Sequence, residues 1–104
     1  MIARIWHGMV PSDKSNEYME YLNRTGVPDL RATPGNKEVK VHRRKQGDRV
    51  HFLLVSYWDS RESIAAFAGP DIDKARYYPQ DGEYLLELEP EVLHYEVLEI
   101  ASPG

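Results

Sequence analysis

The ten residues Arg49 to Trp58 (Arg-Val-His-Phe-Leu-Leu-Val-Ser-Tyr-Trp) constrain the fold more than any other stretch of the chain. They are rich in β-branched and aromatic residues and apolar at both alternating sets of positions, as expected of a central strand covered on both faces. Such a strand needs a neighbour on each side. One neighbour is Glu38 to Lys45, where Val39 and Val41 alternate with Lys40, His42 and Arg44. Gly47-Asp48 lies between the two strands, and a glycine first in a two-residue loop suits a type II′ hairpin. That turn pairs Val41 with Leu54 and Val39 with Ser56. The valines then share a sheet face with Phe52, Leu54, Ser56 and Trp58. Lys40, His42 and Arg44 share the other with His51, Leu53, Val55 and Tyr57.

Ile2 to Val10 also alternates and reads as a strand, with Ala3, Ile5, His7 and Met9 on one side and Ile2, Arg4, Trp6 and Gly8 on the other. Pro11-Ser12 breaks it, with Ser12 as the expected helix N-cap. Tyr18, Met19, Tyr21, Leu22 and Thr25 recur at helical spacing, Gly26 is the expected C-cap, and Asp29 to Thr33 reads as one further turn before Pro34-Gly35. Asp59 and Glu62 have capping-box spacing ahead of the apolar stripe Ile64, Ala65, Phe67 and Ala68, which Gly69-Pro70 ends. Asp71 to Tyr78 reads as a short helix with an aromatic end, Glu83 to Leu88 as a helical turn, and Glu91 to Ile100 as a last strand. Residues 101 to 104 read as a frayed tail.

The order β-α-β-β-α-β predicts an α+β, ferredoxin-like fold: a four-stranded antiparallel sheet with two helices on one face, in a single domain over 1–104 whose ordered core is about 2–100. The opposite face would hold Trp6, Leu53, Val55, Tyr57 and Leu98 among Arg4, Arg44, His94 and Glu96. So much apolar surface calls for a cover, and sheet-to-sheet homodimerisation is the simplest one. Thirteen basic against seventeen acidic residues give a net charge of −4, which argues against nucleic acid or an anionic membrane as partner. The absence of cysteine excludes thiolate catalysis and Cys-type metal sites and fits a reducing cytoplasm. No apolar run approaches the roughly 18 residues of a membrane span, and the alternating N-terminus is unlike a signal peptide.

The strand end Ser56-Tyr57-Trp58, followed at once by Asp59-Ser60-Arg61-Glu62-Ser63-Ile64 and Phe67, resembles the antibiotic biosynthesis monooxygenase family. Pro11 after the opening strand and Pro34-Gly35 before the second strand are similar to it too. The resemblance spans roughly residues 2 to 100 and implies a dimeric α/β barrel, two ferredoxin-like sheets packed face to face. Trp58 matches the family's strand-end Trp, while the Asn of quinone-forming members falls on Leu54. The pocket Trp and haem-ligating His of haem-degrading members fall on Phe67 and Tyr77, and their first-strand Asn near His7. The family chemistry so implied uses no metal, flavin or haem: a substrate deprotonated to an electron-rich anion reacts directly with dioxygen.

His7 is the one strongly polar side chain among Ala3, Ile5 and Met9, so if that side meets the helices it is the candidate general base. A hydrogen-bonded core histidine is the plainer reading. Trp58, Phe67, Tyr77 and Tyr78, with Leu54, would form an aromatic pocket for a planar, quinol-like ligand, or would simply fill the core. No HExxH or paired-histidine helix motif is present, so no metal site is expected. The leading expectation is a cofactor-independent monooxygenase acting on an aromatic or polycyclic small molecule. Its alternatives are a non-catalytic small-molecule-binding or stress-response domain and a related isomerase or lyase.

Overall fold

The computed structural model describes residues 1–98. Strands β1 (Ile2–Pro11), β2 (Asn36–Gln46), β3 (Arg49–Trp58) and β4 (Leu93–Glu96) form one antiparallel sheet in the order β2-β3-β1-β4. Helices α1 (Ser15–Arg24), α2 (Gly26–Ala32), α3 (Arg61–Ala68) and the single turn α4 (Asp81–Tyr84) complete the α+β, ferredoxin-like arrangement. The hairpin between β2 and β3 has the expected register, with Val41 opposite Leu54 and Val39 opposite Ser56. Gly47 carries the positive φ, 59°, that a II′ turn requires at its first position. The expected last strand is shorter, and its residues 99 and 100 lie outside the described residues.

The β1 register corrects the expected faces. Trp6 lies opposite Leu54 and Arg4 opposite Ser56, so Arg4, Trp6 and Val10 share the helix-covered face with Phe52 and Trp58. His7 pairs with Leu53 and Ile5 with Val55, on the open face. The same inversion holds in β4, where His94 lies beside Arg4 on the covered face and Leu93 and Tyr95 lie beside Ile5 and Ala3 on the open one. β1 is a central strand apolar at both sets of positions, so its alternation carries no sign. The placing of Trp6 at the expected dimer face is therefore overturned: Trp6 is 8% exposed and sits in the core.

That core is built from Val10, Phe52, Leu54 and Trp58 beneath Tyr18, Tyr21 and Leu22 of α1, Leu30 of α2 and Ile64 of α3. The α1 spacing i, i+3, i+4 puts Tyr18, Tyr21 and Leu22 on one stripe. Ser12 begins a 3-10 turn and makes no side-chain cap, and Gly26 opens α2 instead of capping α1. Pro28 is tolerated there because a first-turn N–H has no intrahelical acceptor. The α3 N-cap falls one residue later than Asp59: Ser60 Oγ accepts from the Ser63 amide at 3.2 Å. Asp71 to Tyr78 is not a helix. Its Ile72 and Lys74 carbonyls are taken by the Arg4 guanidinium, Lys74 bridges to Glu91, and Pro79 disfavours a helical Tyr78.

Candidate functional site

The covered face of the sheet does not meet the helices everywhere. Arg4 and Trp6 on β1 and Leu54 and Ser56 on β3 form the floor of a cleft. Tyr18, Leu22, Gly26 and Leu30 wall one part of it, and Phe67, Arg76, Tyr78 and Asp81 another. The cleft is partly open to solvent and leaves about 40 Å³ to the centre of a water molecule. As it stands it holds a few waters. Arg76, Tyr78 and the rest of the segment between α3 and α4 must move outward for a polycyclic ring to enter.

Three of the expected pocket residues, Leu54, Phe67 and Tyr78, meet at this cleft. Trp58 stands behind it, fully buried, with its ring 6.3 Å from that of Phe67 and its indole N–H donating to Ser56 Oγ at 2.9 Å. Tyr77 points elsewhere: its ring packs edge-on to Trp6, and its hydroxyl donates to the Glu89 carbonyl. His7 is on the opposite side of the sheet from the cleft. There its Nδ1 lies 2.5 Å from Glu89 Oε2 and its Nε2 lies 2.8 Å from His51 Nδ1, while His51 Nε2 lies 2.7 Å from Gln46 Oε1. The expectation of a His7 buried among core side chains is corrected, since Ile5, His7 and Met9 are all partly exposed.

The polar residues of the cleft went unread in the sequence. Asp81 is 4% exposed and accepts from Tyr18 Oη at 2.9 Å and from the Tyr78 amide at 2.6 Å. Burial raises its pKa, against the pull of those two donors. The same burial, reinforced by the Asp81 charge, raises the Tyr18 hydroxyl. Arg4, 4% exposed, donates from Nη1 to the Ile72 carbonyl and from Nη2 to the Lys74 carbonyl at 3.1 Å. Its Nη1 also lies 3.1 Å from His94 Nε2. A guanidinium only donates, so His94 Nε2 is the acceptor and Nδ1 carries the proton toward Asp73 Oδ1 at 3.1 Å. Burial lowers the Arg4 pKa to about 10, with Asp73 opposing, which leaves it cationic at neutral pH. Burial, then the Arg4 charge, lowers the His94 pKa, in keeping with a neutral ring. Arg76 stacks on Phe67 (4.7 Å to the ring centre) and on Tyr78 (5.1 Å) and pairs with Asp29 at 3.5 Å. A strand-end arginine flanked by apolar residues is the signal that could have marked Arg4; nothing local marks Asp81.

Among the described residues no three His, Asp or Glu side chains converge as metal ligands do, and no helix is long and apolar enough to cross a membrane. Nor does the cleft suit haem: no histidine lines it, and the Tyr78 hydroxyl is engaged by Asp29 Oδ2 at 2.7 Å.

Searched against curated proteins, the sequence matches none. Among solved structures, a protein from Nitrosomonas europaea assigned to the antibiotic biosynthesis monooxygenases superposes with a TM-score of 0.68 at 20% identity, covering 95% of this chain and 100% of that one. A Streptomyces coelicolor monooxygenase solved with nanaomycin D gives 0.64 at 15% identity, covering 99% and 91%. A MhuD variant with two manganese protoporphyrin IX groups per active site gives 0.63 at 23%, covering 98% and 100%. At these identities the likeness speaks for the fold alone. The family model described as antibiotic biosynthesis monooxygenase matches residues 1–71, about two thirds of the sequence, and the chain belongs to that family.

Proposed function

We propose that the cleft between sheet and helices binds an aromatic small molecule and that the protein oxygenates it without a cofactor. The observation that supports this most is the lining itself: the rings of Trp6, Tyr18, Phe67 and Tyr78 surround a buried carboxylate and a buried guanidinium. Rings suit a planar ligand, and a desolvated carboxylate suits a proton acceptor. The Streptomyces coelicolor neighbour, a monooxygenase solved with the ligand nanaomycin D, is in keeping with a small-molecule site. In such a reaction the phenol loses its proton, the anion reduces dioxygen, one oxygen atom becomes the new carbonyl and the other leaves as water. For 1-naphthol this gives 1,4-naphthoquinone and one water per dioxygen. Asp81 is our candidate base, because its carboxylate reaches the cleft and burial strengthens its hold on a proton.

A second reading keeps His7 as the base for a ligand on the open sheet face. The Glu89–His7–His51 chain favours it, because a carboxylate behind an imidazole fixes the ring's orientation. We also propose a homodimer built on the open face, where Ile5, Leu53, Tyr57, Leu93 and Tyr95 leave apolar surface uncovered, and a reducing cytoplasm as its setting, in keeping with the lack of cysteine.

Oxygen uptake with 1-naphthol tests the activity. One dioxygen consumed per quinone formed is the expected result, with turnover reduced about 10²–10⁴-fold in Asp81→Asn. The same loss in His7→Ala instead would select the second reading. Binding without oxygen uptake would assign a binding domain, and conversion without oxygen an isomerase or lyase.

A further inference from the structure

Arg4 and Ser56 face each other across β1 and β3 on the floor of the cleft, and both are almost wholly buried, at 4% and 2% exposure. Their hydrogen bonds are incomplete in the same sense. A guanidinium has five N–H groups. Ile72, Lys74 and His94 accept three of them, and among the described residues nothing accepts the other two. No described carboxylate lies within ion-pair distance of Arg4; Asp73 is linked to it only through the His94 ring. Ser56 Oγ accepts from Trp58, and among the described residues nothing accepts its own hydrogen. The Trp6 indole N–H, buried and without a bonding partner among the described residues, is turned to the Tyr77 hydroxyl and does not add to this count. The one acid of the lining, Asp81, already receives two donors. The floor is therefore rich in donors and short of acceptors, around a cation without a contacting counter-ion.

We propose that the ligand of this cleft carries a carboxylate, received on the floor by Arg4 and Ser56, with its aromatic ring toward Phe67 and Tyr78. This rests on reading the cleft as an aromatic small-molecule site. A buried charge is costly until it is paired, and a ligand anion supplies the missing partner where water is scarce. Guanidinium and carboxylate are both planar and match in two parallel bonds. The serine hydroxyl can give a third.

The test is an NMR titration with 2-naphthoate, its neutral isostere 2-naphthamide, and 2-naphthol, at pH 7 and low salt. The chain has two tryptophans, so it gives two indole N–H signals, and Trp6→Phe assigns them. We expect 2-naphthoate to bind at least about tenfold more tightly than the amide or the naphthol, roughly the effect of one charge-assisted bond, and to move the Trp6 signal. Ser56→Ala should weaken the naphthoate about three- to tenfold and the amide, a weaker acceptor, by less, and Arg4→Gln should abolish the preference. If Arg4→Gln does not fold, the unaltered chain and Ser56→Ala decide. Equal affinity for naphthoate and amide, or tighter binding of naphthol, overturns the carboxylate assignment while leaving an aromatic site. Failure of all three to bind overturns the aromatic reading of the cleft as well.

Discussion

Replacing Gly8 by alanine tests which face of β1 meets the helices. A Cβ at Gly8 would lie 2.3 Å from Trp6 Cη2, 2.8 Å from Trp6 Cζ2 and 2.9 Å from Leu85 Cδ2. Ordinary contact begins near 3.4 Å, so the indole must retreat by about 3.4 − 2.3 = 1.1 Å. Leu85 can turn a methyl aside. The indole cannot yield as easily, because Tyr18 and Tyr77 pack at 6.5 and 6.3 Å between ring centres. Overpacking of this kind costs about 1–3 kcal/mol. In a domain of this size that lowers the melting temperature by roughly 5–20 °C. Thermal melts of Gly8→Ala, Trp6→Leu and the double variant are the assay. The loss in Gly8→Ala should shrink once the indole is gone, with a coupling of about 0.5–3 kcal/mol. A Gly8→Ala protein melting within about 1 °C of the parent would refute the reasoning. Trp6 would then stand on the open face, as the bare alternation of the strand had suggested, and the cleft described above would have lost its floor.

Tyr18→Phe keeps the ring but leaves Asp81 with one donor in place of two, so it should cost about 1.5–3 kcal/mol in urea unfolding; an unchanged midpoint would count against that bond. Burial raises the Asp81 pKa above 3.8, so the folded chain holds this proton more tightly than the unfolded one. The resulting stabilisation is fully present below pH 3.8 and is lost as pH rises through the folded pKa. Asp81→Asn should therefore remove one falling component from the stability curve just above that pH, and identical curves for the two proteins would exclude the raised pKa. Leu53→Glu puts a charge among the partly exposed apolar residues of the open face. Sedimentation should find twice the chain mass for the parent and the chain mass alone for the variant. A parent that sediments as a monomer would contradict the dimer.

How much could be read from the residues depended on whether a local constraint existed. Gly47-Asp48 fixed the β2–β3 register because a two-residue loop leaves one pairing, and all the faces of that hairpin followed. The α1 stripe and the end of α3 at Gly69 were legible for similar reasons, a fixed helical period and a glycine with φ of 92°. Leu54 and Phe67 met as expected because β3 and α3 are joined by a short connection through Asp59 and Ser60. The stretch from Gly69 to Gln80 has no such constraint. Its path is set by distant acceptors and donors, Arg4 above all, which lies 68 residues from Ile72 and 70 from Lys74.

β1 shows why a pattern can be present and still carry no direction. Each side of it holds one polar residue, Arg4 on one and His7 on the other, among Ile2, Trp6 and Val10 or Ala3, Ile5 and Met9. Polarity alone makes the arginine the one to face water, since an arginine is seldom buried without a partner. Arg4 is nonetheless inside, because three protein acceptors, the Ile72 and Lys74 carbonyls and His94, converge on it from segments that no local reading can bring together. With Arg4 inside, the period of two puts Trp6 over Gly8 and His7 outside, next to Glu89 and His51. One buried cation therefore keeps His7 away from a ligand in the cleft. The same cation, short of acceptors, gives the cleft its preference for an anion.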